Sequence, residues 1–189
     1  MQKAPGLTEL EIIQYCKSGG LKHQELLYKH FYGYALGIGM RYLSNRDDAM
    51  EVVNDSFIKI FKGIEFYKET QPFKAWLRKI VVNTSIDCKR KNLKHSHQSD
   101  LDEATYLGKS AEVIASLSAK DILNLLNHLP EIQRVVFNLY EIDGYNHDEI
   151  GTMLNIPVSS SRVYLSRAKE KLRAYLTPQK ETDYERRIR

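Results

Sequence analysis

Three carboxylates recur at three- and four-residue spacing in the stretch DDAMEVVNDSFIKIFK: Asp48, Glu51 and Asp55. On a helix that spacing places them on one face, where like charges cost stability unless something neutralises them. Such a face could hold a metal pair, dock a cationic partner or be hydrated. Helical carboxylate sites for two metal ions bring Glu-x-x-His motifs with them, and this chain has none. His95 and His97 form a lone H-x-H in a polar segment, too little for a metal site. No convincing acid–base set accompanies the carboxylates, so neither a catalytic residue nor a metal or other cofactor is expected. A docking face and a hydrated face remain equally open at this point.

Cations form two other groups. The stretch PFKAWLRKIVVNTSIDCKRKNL carries Lys74, Arg78, Lys79, Lys89, Arg90, Lys91 and, just beyond it, Lys94, against the single acid Asp87. It follows the loop GIEFYKETQP, with Phe66 and Tyr67. Cations that neutralise phosphates beside aromatic rings or pockets that receive unstacked bases suit partly single-stranded nucleic acid. The competing reading makes these aromatics core, and for Phe73 and Trp76 that reading carries more weight. The second group is Arg162, Arg167, Lys169, Lys171 and Arg173, with Glu170 the only acid between Ser159 and Leu176. Five cations against one anion on an exposed helix suit a polyanion.

These groups need helices to position them. The hydrophobic share of 42% and charged share of 28% are those of a soluble globular chain. Apolar residues recur at helical spacing and no segment sustains a period of two, so the chain is expected to be all-α, with two small helical domains joined by a flexible linker. Thr8-Glu9-Leu10-Glu11 fits a capping box that opens a first helix, which Gly19-Gly20 would end. A second helix runs from about His23 to Leu43. Its Gly33 and Gly37, four residues apart, could admit a neighbouring helix closely. The third covers about Asp47 to Lys62, with Ala49, Val52, Val53, Ser56, Phe57 and Ile60 inward, and the fourth about Phe73 to Leu93.

Periodicity then fades, and residues 95–118 read as a linker with an acidic middle at Asp100, Asp102 and Glu103. It could occupy a nucleic-acid channel or be merely solvated. Leu123, Leu126 and Leu129 begin a second domain over 119–176, with a further helix over Glu131 to Ile142. In Tyr145–Leu176, Ile150, Met153 and Leu154 make one amphipathic helix, and Asn155 suits a left-handed turn residue. Ser159 or Ser160 can cap the next helix. That succession reads as a helix-turn-helix. Ser161 falls on its inner face, where a hydroxyl must bond back to the backbone or lie near the edge. The tail 177–189 has no apolar pattern and is expected to be disordered. Cys16 and Cys88 form neither a disulfide framework nor a zinc motif, no apolar run approaches a membrane span and the N-terminus lacks a signal-peptide core, so a cytoplasmic location is the expectation.

In this order, the motifs resemble those of the extracytoplasmic-function sigma factors, the minimal two-domain class of the sigma-70 family of bacterial RNA polymerase subunits. DAMEVVNDSF at Asp48–Phe57 is similar to the family's D-A-E-D-x-V-Q-E-x-F. FKAWLRKIVVNTSIDCKR at Phe73–Arg90 matches F-x-x-W-L-x-x-I-x-x-N-x-x-x-D-x-x-R. Leu129-Pro130, Arg134, Phe137, Gly144, Glu149-Ile150 and Leu165-Ser166-Arg167-Ala168 fall where the family has L-P-x-x-x-R-x-x-F, G-x-x-x-x-E-I-A and L-x-R-A. Departures are Asn54 for the usual Gln, Gly151 for Ala, and Ser159-Ser160-Ser161 for G-T-V or G-T-S.

The resemblance implies a transcription initiation factor, not an enzyme. Residues 7–94 would be its region 2-like domain. Asp48, Glu51, Asn54 and Asp55 would dock on the clamp helices of the polymerase β′ subunit. Phe66, Tyr67, Lys74, Arg78, Asn83, Lys89 and Arg90 would bind and hold the melted −10 element. Residues 119–176 would be the region 4-like domain, docking on the β flap. Its Ser160, Val163, Tyr164 and Arg167 would read −35 base edges, while Arg162, Lys169 and Lys171 (with Arg173) would hold phosphates. Core polymerase, promoter DNA and an anti-sigma factor are the implied partners, without direct membrane insertion. The residue-level reading keeps an autonomous helix-turn-helix regulator as its alternative.

Overall fold

A computed structural model describes residues 7–95 and 119–176, and places all their regular structure in helices, with no strand among them. The expectations for the 96–118 linker, including His97 and the acidic Asp100, Asp102 and Glu103, and for the 177–189 tail, lie outside the described residues. The chain divides into two compact units, α1 to α4 and α5 to α8.

In the first unit, α1 spans Glu9–Lys17 and opens on the expected capping box. The Glu11 backbone N–H donates to Thr8 Oγ1 at 3.3 Å, and Thr8 N–H donates back to Glu11 Oε2 at 2.7 Å. Gly19 and Gly20 follow at φ 88° and 101°, a left-handed backbone that separates α1 from α2. Helices α2 (Leu21–Tyr42), α3 (Arg46–Gly63) and α4 (Phe73–His95) pack pairwise against one another, and α1 lies along α2. Asn45 caps α3 by accepting from the Asp47 N–H at 2.9 Å. Leu27, Phe31, Ala35, Ile38 and Tyr42 from α2 meet Val52, Val53, Phe57 and Ile60 from α3 and Phe73, Leu77, Val81 and Ile86 from α4 in the core. Each large side chain there stabilises the unit by about 1.5–3 kcal/mol through removal from water. All six residues expected to face inward on α3 are buried.

The close helix approach falls elsewhere than expected. Among the described residues, a Cβ added at Gly33 or Gly37 would meet nothing within 4 Å, whereas one at Gly39 would lie 3.5 Å from Ala49 Cβ. Gly33 and Gly37 share the exposed side of α2, and Gly39 is turned toward α3. Between α3 and α4, the stretch expected to be a loop starts with a 3-10 turn at Ile64–Phe66.

In the second unit, α5 (Ala119–Asn127) and α6 (Glu131–Phe137) lead into a π-helical turn at Asn138–Ile142, where a single α-helix was expected. Asp143 N–H donates to Asn138 O at 2.9 Å, a bond that spans five residues and widens the helix there. Helix α7 (His147–Leu154) opens on a second capping box, Asn146 with Glu149, and ends on Asn155 at φ 54°, ψ 48°, the expected left-handed turn. Helix α8 starts at Val158 and runs to Leu176. Ser159 and Ser160 therefore sit inside its first turn instead of capping it, since Ser161 N–H already bonds back to Pro157 O. Helices α6 and α7 both pack on α8, and Leu126, Leu129 and Ala168 form a core covered by Phe137 and Leu172.

Candidate functional site

Helix α3 presents the acidic face. Its inward residues are spaced so that Glu51, Asn54 and Asp55 are left exposed and Asp48 half-buried. Among the described residues none of the three carboxylates pairs with a cation. Asn54 Oδ1 accepts from the Tyr28 hydroxyl at 2.9 Å, which fixes its amide against α2. The described residues contain no group of three metal-ligating side chains.

The expected strand-binding residues fall into two sets. Phe66 is 81% exposed at the end of the 3-10 turn, free to meet a ligand. Asn83 and Arg90 are exposed on α4, Arg90 lying 3.5 Å from Asp87. Lys74 is exposed but engaged, its Nζ bonded to Glu9 Oε1 at 2.7 Å. That bond, with help from His30, holds the Glu9 carboxyl below its ordinary range against a smaller opposing effect of burial. Arg78 is half-buried.

Two of the residues expected to bind the strand are buried instead of exposed. Tyr67 is only 6% exposed, its ring set edge-on to Phe73 at 5.2 Å and tilted on Trp76 at 5.3 Å, with its hydroxyl donating to Gln71 O at 2.6 Å. Its ring is a wall of the core. Lys89 is 8% exposed, because the buried arc of α4 is wider than a single stripe and includes Val82, Ser85 and Ile86 beside the expected residues.

On α8, Arg162, Val163 and Arg167 are exposed, and Ser160, Tyr164 and Lys171 are half-buried. Lys169 is less available than expected: its Nζ bonds Glu141 Oε1 at 2.6 Å and lies 5.9 Å from the Tyr140 ring centre. Ser161 is fully buried, as its inner-face position requires, but its hydroxyl meets a side chain instead of the backbone, His147 Nδ1 at 2.9 Å. The His147 ring stacks on Tyr140 at 4.5 Å. Burial first, then the nearby cation of Arg162, pushes this imidazole below its ordinary value, with Lys169 adding to and Asp148 opposing the shift. Sequence reasoning missed His147, Glu9 and Lys17. Their contacts join different helices or loops, His147 with Ser161, Glu9 with Lys74 and Lys17 with Tyr67, which no local pattern signals.

The chain offers an acidic helix face, an aromatic-tipped loop beside a basic helix, and a basic helix, α8, that follows α7 through a tight turn. Comparison with known proteins matches the family described as Sigma-70 region 2 over residues 27–94 and Sigma-70, region 4 over residues 119–172, together more than half of the chain. The chain is 26% identical over 187 residues to the ECF RNA polymerase sigma-E factor of Haemophilus influenzae, covering 93% of this chain and 98% of that protein. It is 26% identical over 177 residues to the protein of the same name from Escherichia coli, covering 87% and 92%. Among solved structures it is similar to the sigma factor RpoE of Bartonella quintana in complex with the anti-sigma factor NepR, with TM-score 0.47, 18% identity, and coverage of 82% of this chain and 98% of that one.

Proposed function

The chain belongs to the sigma-70 family as an RNA polymerase sigma factor of the extracytoplasmic-function type that directs transcription initiation, and we propose how its surfaces divide that work. The family is not one known for enzymes. The acidic face of α3, Asp48, Glu51, Asn54 and Asp55, docks on the β′ clamp helices of core polymerase. Phe66, with Asn83, Arg90, Arg78 and Lys74, meets the melted −10 strand, while Tyr67 and Lys89 support that surface from within. Helix α8 enters the −35 major groove. Arg167, Val163, Ser160 and Tyr164 face base edges, and Arg162 and Lys171 face phosphates. Lys169 joins them only by leaving Glu141.

The observation that carries this reading is the opposition of charge within one unit. Carboxylates on α3 that are unpaired among the described residues, Glu51 and Asp55 exposed and Asp48 half-buried, suit a protein partner with cations, and the cations of α4 suit phosphates. A regulator acting alone has no use for both. The protein works where the polymerase and the chromosome are, in the cytoplasm, and no helix among the described residues is long and apolar enough to cross a membrane. An anti-sigma factor belongs among its partners on the family resemblance, and the β flap is the remaining polymerase contact.

Transcription by core polymerase on a promoter library, with and without this chain, tests the reading. Initiation at a defined promoter set that depends on the chain supports it. Tight sequence-specific binding without polymerase, and initiation indifferent to the chain, would overturn it.

A further inference from the structure

We propose that Lys17, at the end of α1, is a positioning residue that sets −10 selectivity by holding the loop behind Phe66; the proposal rests on the −10 reading of that loop. Helix α1 lies outside the stretch that matches region 2, yet both of its ends are tied to the surface assigned to the melted strand. Its first residue, Glu9, binds Lys74 at the start of α4. Its last residue, Lys17, makes three contacts with one loop. The ammonium donates to Tyr67 O at 2.9 Å, lies 5.1 Å from the centre of the Tyr67 ring, and stands 3.6 Å from Glu69 Oε1.

Tyr67 is where the loop is fixed. Its N–H bonds Ile64 O at 3.1 Å, its hydroxyl bonds Gln71 O, and its carbonyl is taken by Lys17. Its backbone leaves the 3-10 turn at φ −65° and ψ 122°, which ends the turn immediately after Phe66. With the Tyr67 ring pinned inward against Phe73 and Trp76, Phe66 faces solvent. A charge-assisted bond to a backbone carbonyl is stronger and more directional than a neutral one. Removing it leaves Phe66 chemically intact and less firmly aimed. A ring that must meet an unstacked base in one pose loses discrimination when its own pose broadens.

Full-length chain with core polymerase supplies the test. Lys17→Met keeps the stem and removes the donor and charge, and Lys17→Arg restores both. Open-complex formation is compared on promoters altered at −10 and at −35. In Lys17→Met, discrimination among −10 sequences should fall on the order of tenfold, the scale of one charge-assisted bond. Discrimination at −35 should stay put, and Lys17→Arg should recover most of the loss. Trp76 is the single tryptophan and lies against Tyr67, so its acrylamide quenching reports the loop independently of DNA. Quenching should rise in Lys17→Met and return in Lys17→Arg.

A uniform loss on all promoters would overturn the proposal, as would lost −10 selectivity with unchanged quenching, which would make Lys17 a direct DNA contact. Phe66→Ala separates the two layers. If Phe66→Ala weakens −10 selectivity and Lys17→Met does not, positioning is refuted and the loop assignment stands. If Phe66→Ala changes nothing at −10, the loop assignment itself fails. Should Lys17→Met not fold, Glu69→Ala at the exposed partner must shift selectivity and quenching in the same direction by less, and no shift would refute the proposal.

Discussion

Ser161 Oγ and His147 Nδ1 stand 2.9 Å apart, joining α8 to the first turn of α7. The imidazole also stacks on Tyr140, and burial first, then Arg162 and Lys169, raise the cost of its cationic form, with Asp148 offsetting part of it. Its folded-state value thus lies below the ordinary 6.5 of the unfolded chain.

The sign of the resulting pH dependence follows. Above the unfolded value both states hold a neutral ring, and the contribution of His147 to stability is fully present. As pH falls through 6.5 and then through the depressed folded value, the unfolded state takes up the proton first, so stability declines. Thermal melts between about pH 8 and pH 5 should show this decline in the second unit, and His147→Gln should flatten that part of the curve. An unchanged slope in His147→Gln would assign the pH dependence to other groups.

Gly151 packs under the turn of the same hairpin. An added Cβ would lie 3.0 Å from Ile156 O and 3.5 Å from Val158 Cγ2. Alanine gains about 1 kcal/mol in helix propensity, and the crowded carbonyl offsets it. Gly151→Ala should therefore leave the melting temperature nearly unchanged. Gly151→Val, with branches directed at the same carbonyl and weaker propensity, should cost about 1–3 kcal/mol by overpacking. Chemical denaturation of the two variants checks both.

Arg134 is almost fully buried, and its Nη1 donates to Asn127 Oδ1 at 2.8 Å, tying α6 to the end of α5. Arg134→Ala removes that tie and leaves a cavity, and should destabilise the second unit by about 3 kcal/mol. Calorimetry should show the loss in that unit's transition while binding of core polymerase through the first unit persists.

On the acidic face, Asp55→Lys reverses an exposed charge without touching the core. Affinity for core polymerase should fall on the order of tenfold, mostly through a slower association that salt masks. Circular dichroism should be unchanged. Unaltered affinity at low salt would remove Asp55 from the docking surface.

Local signals were legible where a residue's chemistry acts on its immediate neighbours. Thr8 with Glu11, Asn155 in the left-handed turn and the six inward residues of α3 all follow from spacing of three or four residues. Phe66 and Tyr67 were not separable, since adjacent aromatics in an irregular loop carry no period to say which turns inward. Gly33 and Gly37 have the spacing of a contact strip but lie on the face of α2 that meets solvent. Spacing says that a groove exists, and only the fold says which groove is filled. The π turn at Asn138–Ile142 leaves the apolar pattern of a helix intact, so nothing in the sequence marks it. Pairs such as Lys17 with Tyr67, and Glu9 with Lys74, are 50 and 65 residues apart and belong to tertiary structure alone.

If two units of one chain read two promoter elements separately, substitutions in each unit should change preference at one element only. Transcripts initiated by core polymerase with this chain on a library randomised at both elements are sequenced for the native chain, Phe66→Ala and Arg167→Ala. Phe66→Ala should relax preference only in the −10 positions and Arg167→Ala only in the −35 positions, with core affinity intact in both. A preference profile in which either variant alters the other element, or neither variant alters its own, would contradict separate reading of the two elements.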